Sequence, residues 1–246
     1  MKRLLQLLLV VLCVTRALLA DAGVLIPRDK SQPDPAVLSL DEMEIHVIID
    51  NGVAHVSVRQ IFGNHTGRIE EGNYIFALPS RATVSDFAVW DGPTRIPAVI
   101  LERKRASQIY NQAKQQAIDP GLLQMGERGV EEARRSAAFS ARIVPIPPYG
   151  TKRLEFEYHE NIPVENMKSF FAIPIHPDAY QAQVAGHLSI EFELRSAHQF
   201  SDFQFVGSTF PMKMTARDGH SIKASFDGPN VNCTSSCGMR CRRSSK

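Results

Sequence analysis

The sequence predicts a mainly β fold, an antiparallel β-sandwich with one long amphipathic helix packed on it. Three observations carry this reading. Short segments alternating apolar and polar residues recur along most of the chain, the mark of half-buried strands. Tight-turn signals separate them, Asp50-Asn51-Gly52 and Asp91-Gly92-Pro93 among them. Over 102–118 the period changes: Ala106, Ile109, Tyr110, Ala113 and Ala117 fall on one face of a helix. With 246 residues, 43% of them hydrophobic, the chain can bury a sizeable core.

The first 22 residues read as a secretory signal. Basic Met1-Lys2-Arg3 precedes an apolar run from Leu4 to Val14, and Ala20-Asp21-Ala22 supplies a small-residue cleavage site. The run is short for a bilayer, so cleavage rather than anchoring is expected, leaving no transmembrane segment. The expected location is secreted or extracellular, or periplasmic or cell-surface in a bacterium. Loss of Lys2, Arg3, Arg16 and Asp21 takes the formal charge from +2 to zero. No basic excess then remains to attract nucleic acid.

Residues 23–35 are polar and proline-marked, a flexible leader, and 36–228 form the expected domain. Glu42 to Ile49 places Met43, Ile45, Val47 and Ile49 on one face, and Val53 to Phe62 returns after Asn51-Gly52 with Ala54, Val56, Val58 and Gln60 aligned. Tyr74 to Leu78 is the next strand. Thr83 to Trp90 and Arg95 to Leu101 form a second hairpin, and the helix follows until Asp119-Pro120-Gly121 stops it. Phe139 to Ile146 precedes a proline-rich turn, after which Leu154, Phe156 and Tyr158 point inward. Further short strands are expected at Phe170 to Ile175, His187 to Leu194, Phe203 to Val206 and His220 to Phe226. Residues 229–246 read as a cysteine-containing tail.

Several linked motifs resemble one family. Val56-x-Val58-x-Gln60-x-Phe62 with Asn64, then Tyr74-x-Phe76-x-Leu78-Pro79, open the pattern. Glu102, Lys104, Ala106, Tyr110 and Ala113 match its helix, and Phe139 with Ile146-Pro147-Pro148 its later strand and turn. Together they resemble the VIT domain of vault proteins and of inter-alpha-trypsin inhibitor heavy chains. The resemblance implies a VIT-like sandwich and an interaction or scaffold role in which these residues are structural. Such proteins usually continue into a von Willebrand factor A domain with a metal-binding D-x-S-x-S loop, and that loop is absent from this sequence.

The remaining constellations point away from catalysis. No nucleophile elbow, P-loop, dinucleotide-binding turn or H-E-x-x-H spacing occurs, so no catalytic residue, metal ligand or cofactor site is assigned. The pairs Glu70-Glu71, Glu131-Glu132 and Glu155 with Glu157 read as solvated charge rather than acid–base machinery. His46 and His55 are expected as surface neighbours across the first hairpin. Arg103-Lys104-Arg105 with Arg134-Arg135 offers a weak contact for an acidic polysaccharide, ordinary helix and loop charge being the simpler reading. Cys233, Cys237 and Cys241 are an odd set, open to a disulfide or an intermolecular thiol. Asn64-His65-Thr66 and Asn232-Cys233-Thr234 are glycosylation sequons in a eukaryotic secretory pathway.

The expected function is a secreted or cell-surface, non-enzymatic interaction module whose partners are other extracellular proteins. The alternatives are a truncated fragment of a VIT plus von Willebrand A adhesion or inhibitor heavy-chain-like protein and, in another class, an extracellular hydrolase.

Overall fold

The computed structural model describes residues 23–79, 81–101, 122–125, 136–173, 175, 183–206, 210–233 and 237–243. Among them every regular element is a strand. In chain order these are β1 (Val24–Pro27), β2 (Leu38–Asp50), β3 (Val53–Asn64), β4 (Glu70–Pro79), β5 (Ala82–Asp91), β6 (Thr94–Pro97), β7 (Val99–Leu101) and β8 (Leu122–Met125). There follow β9 (Ser136–Ile146), β10 (Thr151–Asn161), β11 (Val164–Glu165), β12 (Lys168–Ile173), β13 (Val184–Arg195), β14 (Phe200–Val206), β15 (Lys213–Arg217), β16 (Ser221–Asn232) and β17 (Cys237–Arg243).

Eight strands in the order β15-β16-β13-β2-β3-β10-β5-β6 form the main sheet. Alternation decides its inner face: Met43, Ile45, Val47 and Ile49 of β2 are buried, as are Leu154, Phe156 and Tyr158 of β10. The first hairpin reverses at Asn51 and Gly52, whose φ values of 49° and 90° are the left-handed geometry that Asn and Gly tolerate. Parallel pairing of β13 with β2 joins the later strands to the earlier ones, setting Phe192 beside Val47.

Two smaller sheets cover that inner face side by side. The five-stranded sheet β1-β4-β9-β8-β7 brings Phe76 to 4.6 Å from Phe156 and 5.2 Å from Phe139, ring centre to ring centre. The four-stranded sheet β11-β12-β17-β14 sets Phe203 and Phe205 at 5.9 and 5.4 Å from Phe192. Each such ring pair adds about 0.5–1.5 kcal/mol beyond the area it buries. One hydrophobic core runs through all three sheets.

Three expectations are corrected. The predicted helix 102–118 falls outside the described residues, and the described fold is all β, so the sandwich carries no described helix. Among the described residues, the face of the main sheet on which a packed helix was expected is covered by two other sheets. Just past the expected helix stop, Leu122 and Leu123 lie in β8, which pairs with β7 and β9. Within 23–35, read as a flexible leader, β1 is buried along its whole length and pairs with β4. Within 229–246, read as a tail, β17 is an inner strand between β12 and β14.

Candidate interaction site

The residues richest in exposed apolar surface and in buried polar bonding meet at one corner, where β3 runs into β4 and β9 into β10. Asn64 ends β3, and its side chain is buried. Its Nδ2 donates to the carbonyls of Arg68 at 2.9 Å, Ile146 at 3.2 Å and Pro147 at 3.0 Å. Its Oδ1 accepts from the Thr66 amide at 2.8 Å and the Thr66 hydroxyl at 2.9 Å. The first of these is an Asx turn, in which the side chain imitates a backbone turn. Backbone bonds complete the stitch: the Asn64 amide donates to the Gly150 carbonyl at 2.8 Å and the Tyr149 amide to the Thr66 carbonyl at 3.1 Å.

Around this pin stands a charged rim. Glu70 is buried; its Oε1 accepts from Arg68 Nε at 2.7 Å and lies 2.9 Å from Thr66 Oγ1, competing with Asn64 Oδ1 for the single hydroxyl hydrogen. Arg28 pairs with Glu71 at 3.1 Å, and Arg68 reaches Asp29 at 3.8 Å. Arg28, Asp29, Arg68, Ile69, Glu70, Glu71 and Val144 line an open depression of about 400 Å³. Two large side chains stand out of this frame, Tyr149 at 77% exposure and Ile69 at 63%. Tyr149 also holds a φ of 50°, a conformation rare for an aromatic residue. A Cβ added at Gly67 would come 3.1 Å from its hydroxyl, so the glycine lets the ring lie over the turn.

A serine, a histidine and an aspartate gather beside this corner without forming a catalytic relay. Ser39 Oγ lies 2.7 Å from His65 Nε2 and 2.5 Å from Asp41 Oδ1. A relay needs the carboxylate on the far nitrogen of the imidazole and the imidazole as proton acceptor. Here Asp41 takes the serine proton, so His65 is left to donate. The sequence reading did not single out this trio; Ser39 and Asp41 are two residues apart, but His65 lies 26 residues beyond Ser39 and the β2–β3 pairing brings it to them.

The motif residues divide between core and turn. Phe62, Tyr74, Phe76, Leu78 and Phe139 are buried apolar core, and Gln60 is buried among them. Tyr74 donates to Gln60 Oε1 at 2.6 Å, and burial raises its hydroxyl pKa well above the usual phenol value. Pro79 pairs with Ser136, and the Pro147 carbonyl accepts from the Gly150 amide at 3.0 Å. Glu102, Lys104, Ala106, Tyr110 and Ala113 lie outside the described residues, as do the basic residues 103–105 and 134–135 and the pair Glu131-Glu132.

Other expectations shift. His46 is opposite Ser57, not His55, and its Nδ1 lies 3.1 Å from Glu191. His55 instead meets His159 of β10, ring centres 4.5 Å apart. Glu155 is held by Arg95 at 3.3 Å and Glu71 by Arg28 at 3.1 Å, while Glu157 points to solvent. Asn64 is a poor glycan acceptor in the folded chain, because its amide is buried and fully engaged; Asn232 is exposed. Cys233 and Cys241 are buried, so an intermolecular bond through either requires the sheet to open. Burial pushes the Cys233 thiol up to about 11. Among the described residues no three of His, Cys, Asp and Glu gather as a metal site would require.

Known structures overlap this fold. A proposed nutrient-binding protein of Legionella pneumophila matches 89% of this chain and 71% of its own, with a TM-score of 0.55 and 14% identity. An M1 zinc metallopeptidase of Deinococcus radiodurans overlaps more loosely, at a TM-score of 0.42 and 9% identity over 82% of this chain and 42% of the enzyme. The first likeness concerns the fold alone, and the second is too loose to carry an argument. Sequence comparison with curated proteins gives no match. The family model of the vault protein inter-alpha-trypsin domain matches residues 40–158, and over that span the chain belongs to the VIT family.

Proposed function

We propose that this VIT-family module is secreted and non-enzymatic, and that it binds another extracellular or cell-surface protein through the corner built on Asn64. One observation carries the reading: Tyr149 and Ile69, at 77% and 63% exposure, stand on two adjoining turns, β9–β10 and β3–β4, tied together by the side-chain hydrogen bonds of one buried asparagine. An exposed aromatic and an exposed aliphatic within a rim of arginine and carboxylate match the composition of protein-binding hot spots. The pinned backbone lowers the ordering cost that association would otherwise carry.

Two other readings have less behind them. Small-molecule capture, which the Legionella protein's description would bring to mind, asks for a concave site of a few hundred Å³. The cleft beneath Phe200, Met239 and Cys241 offers about 30 Å³, room for a water. The depression of about 400 Å³ at the corner is open and lined mostly by charged side chains rather than apolar ones. Hydrolysis asks for a proton relay, and the order of bonds at Ser39 runs the wrong way.

Photocrosslinking tests the proposal. A photoreactive residue at position 149 should capture a discrete protein from the extracellular fraction of the native source, while one at exposed Met214 on β15 should not. The captured protein, once purified, should bind wild type and lose at least about tenfold in affinity to Tyr149→Ala or Ile69→Ser. Equal binding by both variants would sink the assignment of the corner.

A further inference from the structure

The first residue of the described fold is held by its identity as well as its place. Gly23 is buried, and its backbone is held by a linked pair of buried side chains. The Tyr74 hydroxyl donates to Gln60 Oε1 at 2.6 Å, and Gln60 Nε2 donates to the Gly23 carbonyl at 2.9 Å. No side chain fits there, since a Cβ on Gly23 would stand 2.2 Å from Tyr74 Cζ. Val24, Leu25 and Ile26 continue as a buried strand beside Ile75, Tyr74 and Asn73. Immediately upstream lies Ala20-Asp21-Ala22, the small-residue pattern of a signal cleavage site.

We propose that Gly23 is the mature amino terminus, and that Gln60 and Tyr74 form the socket that seats it after a signal peptidase hydrolyses the Ala22–Gly23 bond. The inference rests on the secretion reading above. Water adds across the peptide bond: Ala22 leaves with the new carboxylate, and Gly23 keeps its nitrogen as an α-amino group. The cleavage leaves the Gly23 carbonyl untouched, so its bond from Gln60 survives. A terminus one residue later, at Val24, removes that carbonyl and leaves the buried Gln60 amide without its acceptor. The socket therefore couples the cleavage position to the seating of β1 in the core.

A terminus made in vitro tests the socket apart from secretion. A site-specific protease is used to leave Gly23 as the first residue of the chain through Lys246, and its α-amine is acylated with an N-hydroxysuccinimide acetate ester at neutral pH. The folded chain should react at least about tenfold more slowly than the same chain in urea, the protection expected of a terminus that must open locally to react. Tyr74→Phe, which keeps the ring and drops the hydroxyl, should regain most of the unfolded rate. Reaction of the folded wild type at the unfolded rate overturns the socket. Intact mass of the secreted protein tests the cleavage: a start at Gly23 supports the proposal, and any other start overturns it. Retention in the cytosol with residues 1–22 attached would instead sink the secretion reading, leaving the acylation result to judge the socket on its own.

Discussion

Replacing Asn64 by Asp exchanges one NH2 for an oxygen and should unseat the corner. Asn64 Nδ2 faces three carbonyls, those of Arg68, Ile146 and Pro147, at 2.9, 3.2 and 3.0 Å. An amide group has two hydrogens, so one is shared between two acceptors. A carboxylate oxygen in that place has none and meets the lone pairs head on. Two buried hydrogen bonds lost cost about 1 kcal/mol each. Stranding the acceptors and bringing a charge toward buried Glu70 adds roughly 1–3 kcal/mol. The sum is about 3–5 kcal/mol, a large share of the roughly 5–15 kcal/mol by which a domain is stable. Urea denaturation should show the midpoint falling with an unchanged m value. Asn64→Ala, which removes the donors without adding charge, should fall between wild type and Asn64→Asp. A loss below about 1 kcal/mol for Asn64→Asp would mean that the amide does not pin the loop and would refute the reasoning.

The remaining predictions concern other groups. Cys233, buried and with its thiol raised to about 11, should resist iodoacetamide at mildly alkaline pH in the native protein and react once denaturant opens the sheet; fast native alkylation would contradict its place in the core. Burial raises the Glu160 carboxyl pKa, against a lowering pull from Arg81. A group raised in the folded state contributes stability that is present below its unfolded pKa and lost as pH climbs through the folded value. Glu160→Gln should therefore stabilise at neutral pH, on the order of 1 kcal/mol or less given the partial exposure, and the gain should vanish below the carboxylate range; an equal shift at all pH values would exclude this cause. Ser39, whose proton goes to Asp41, should not react with a fluorophosphonate probe, and labelling abolished by Ser39→Ala would reopen the hydrolase alternative.

What the sequence disclosed depended on whether the deciding interaction was local. The β2–β3 hairpin was legible because Asn51-Gly52 carries the turn in its own residues and each arm alternates. Leu154, Phe156 and Tyr158 were legible as inward for the same reason. By contrast β1, Val-Leu-Ile-Pro, has no alternation, and its burial comes from β4 nearly fifty residues away. Strand β17 does alternate, with Met239 and Cys241 inward and Arg240 and Arg242 outward, but basic residues between cysteines read more readily as a solvated tail. The parallel pairing of β13 with β2 has no local signal at all. At Asn64 the motif was found and its meaning missed: a sequon is defined by three residues, whereas burial of its amide is set by Ile146 and Pro147.

Size alone would favour the outer face of the eight-stranded sheet as the binding surface, and chemistry argues for the corner. Charges on the outer face answer one another across the strands: Arg59 binds Glu44, Arg95 binds Asp86 and Glu155, and His46 and His187 lie against Glu191 and Asp227. A partner docking there must strip solvent from groups already paired, for an apolar gain spread over Ile48, Val184 and Met214 on three different strands, none more than half exposed. At the corner Asn64 and Glu70 have their partners beneath the surface, and a tyrosine and an isoleucine stand out within an exposed rim of Arg28, Asp29 and Arg68. Burying the apolar area of those two at the centre leaves the ions at the margin, and the backbone carrying Tyr149 and Ile69 is already fixed. The same device, a buried side-chain amide bonded to backbone, recurs where Gln60 holds Gly23, so two amides fix the two ends of the sandwich edge that β1 and β4 share. Loosening either amide should therefore be felt first in the β1–β4 pair, as faster hydrogen exchange there than in β13 and β16.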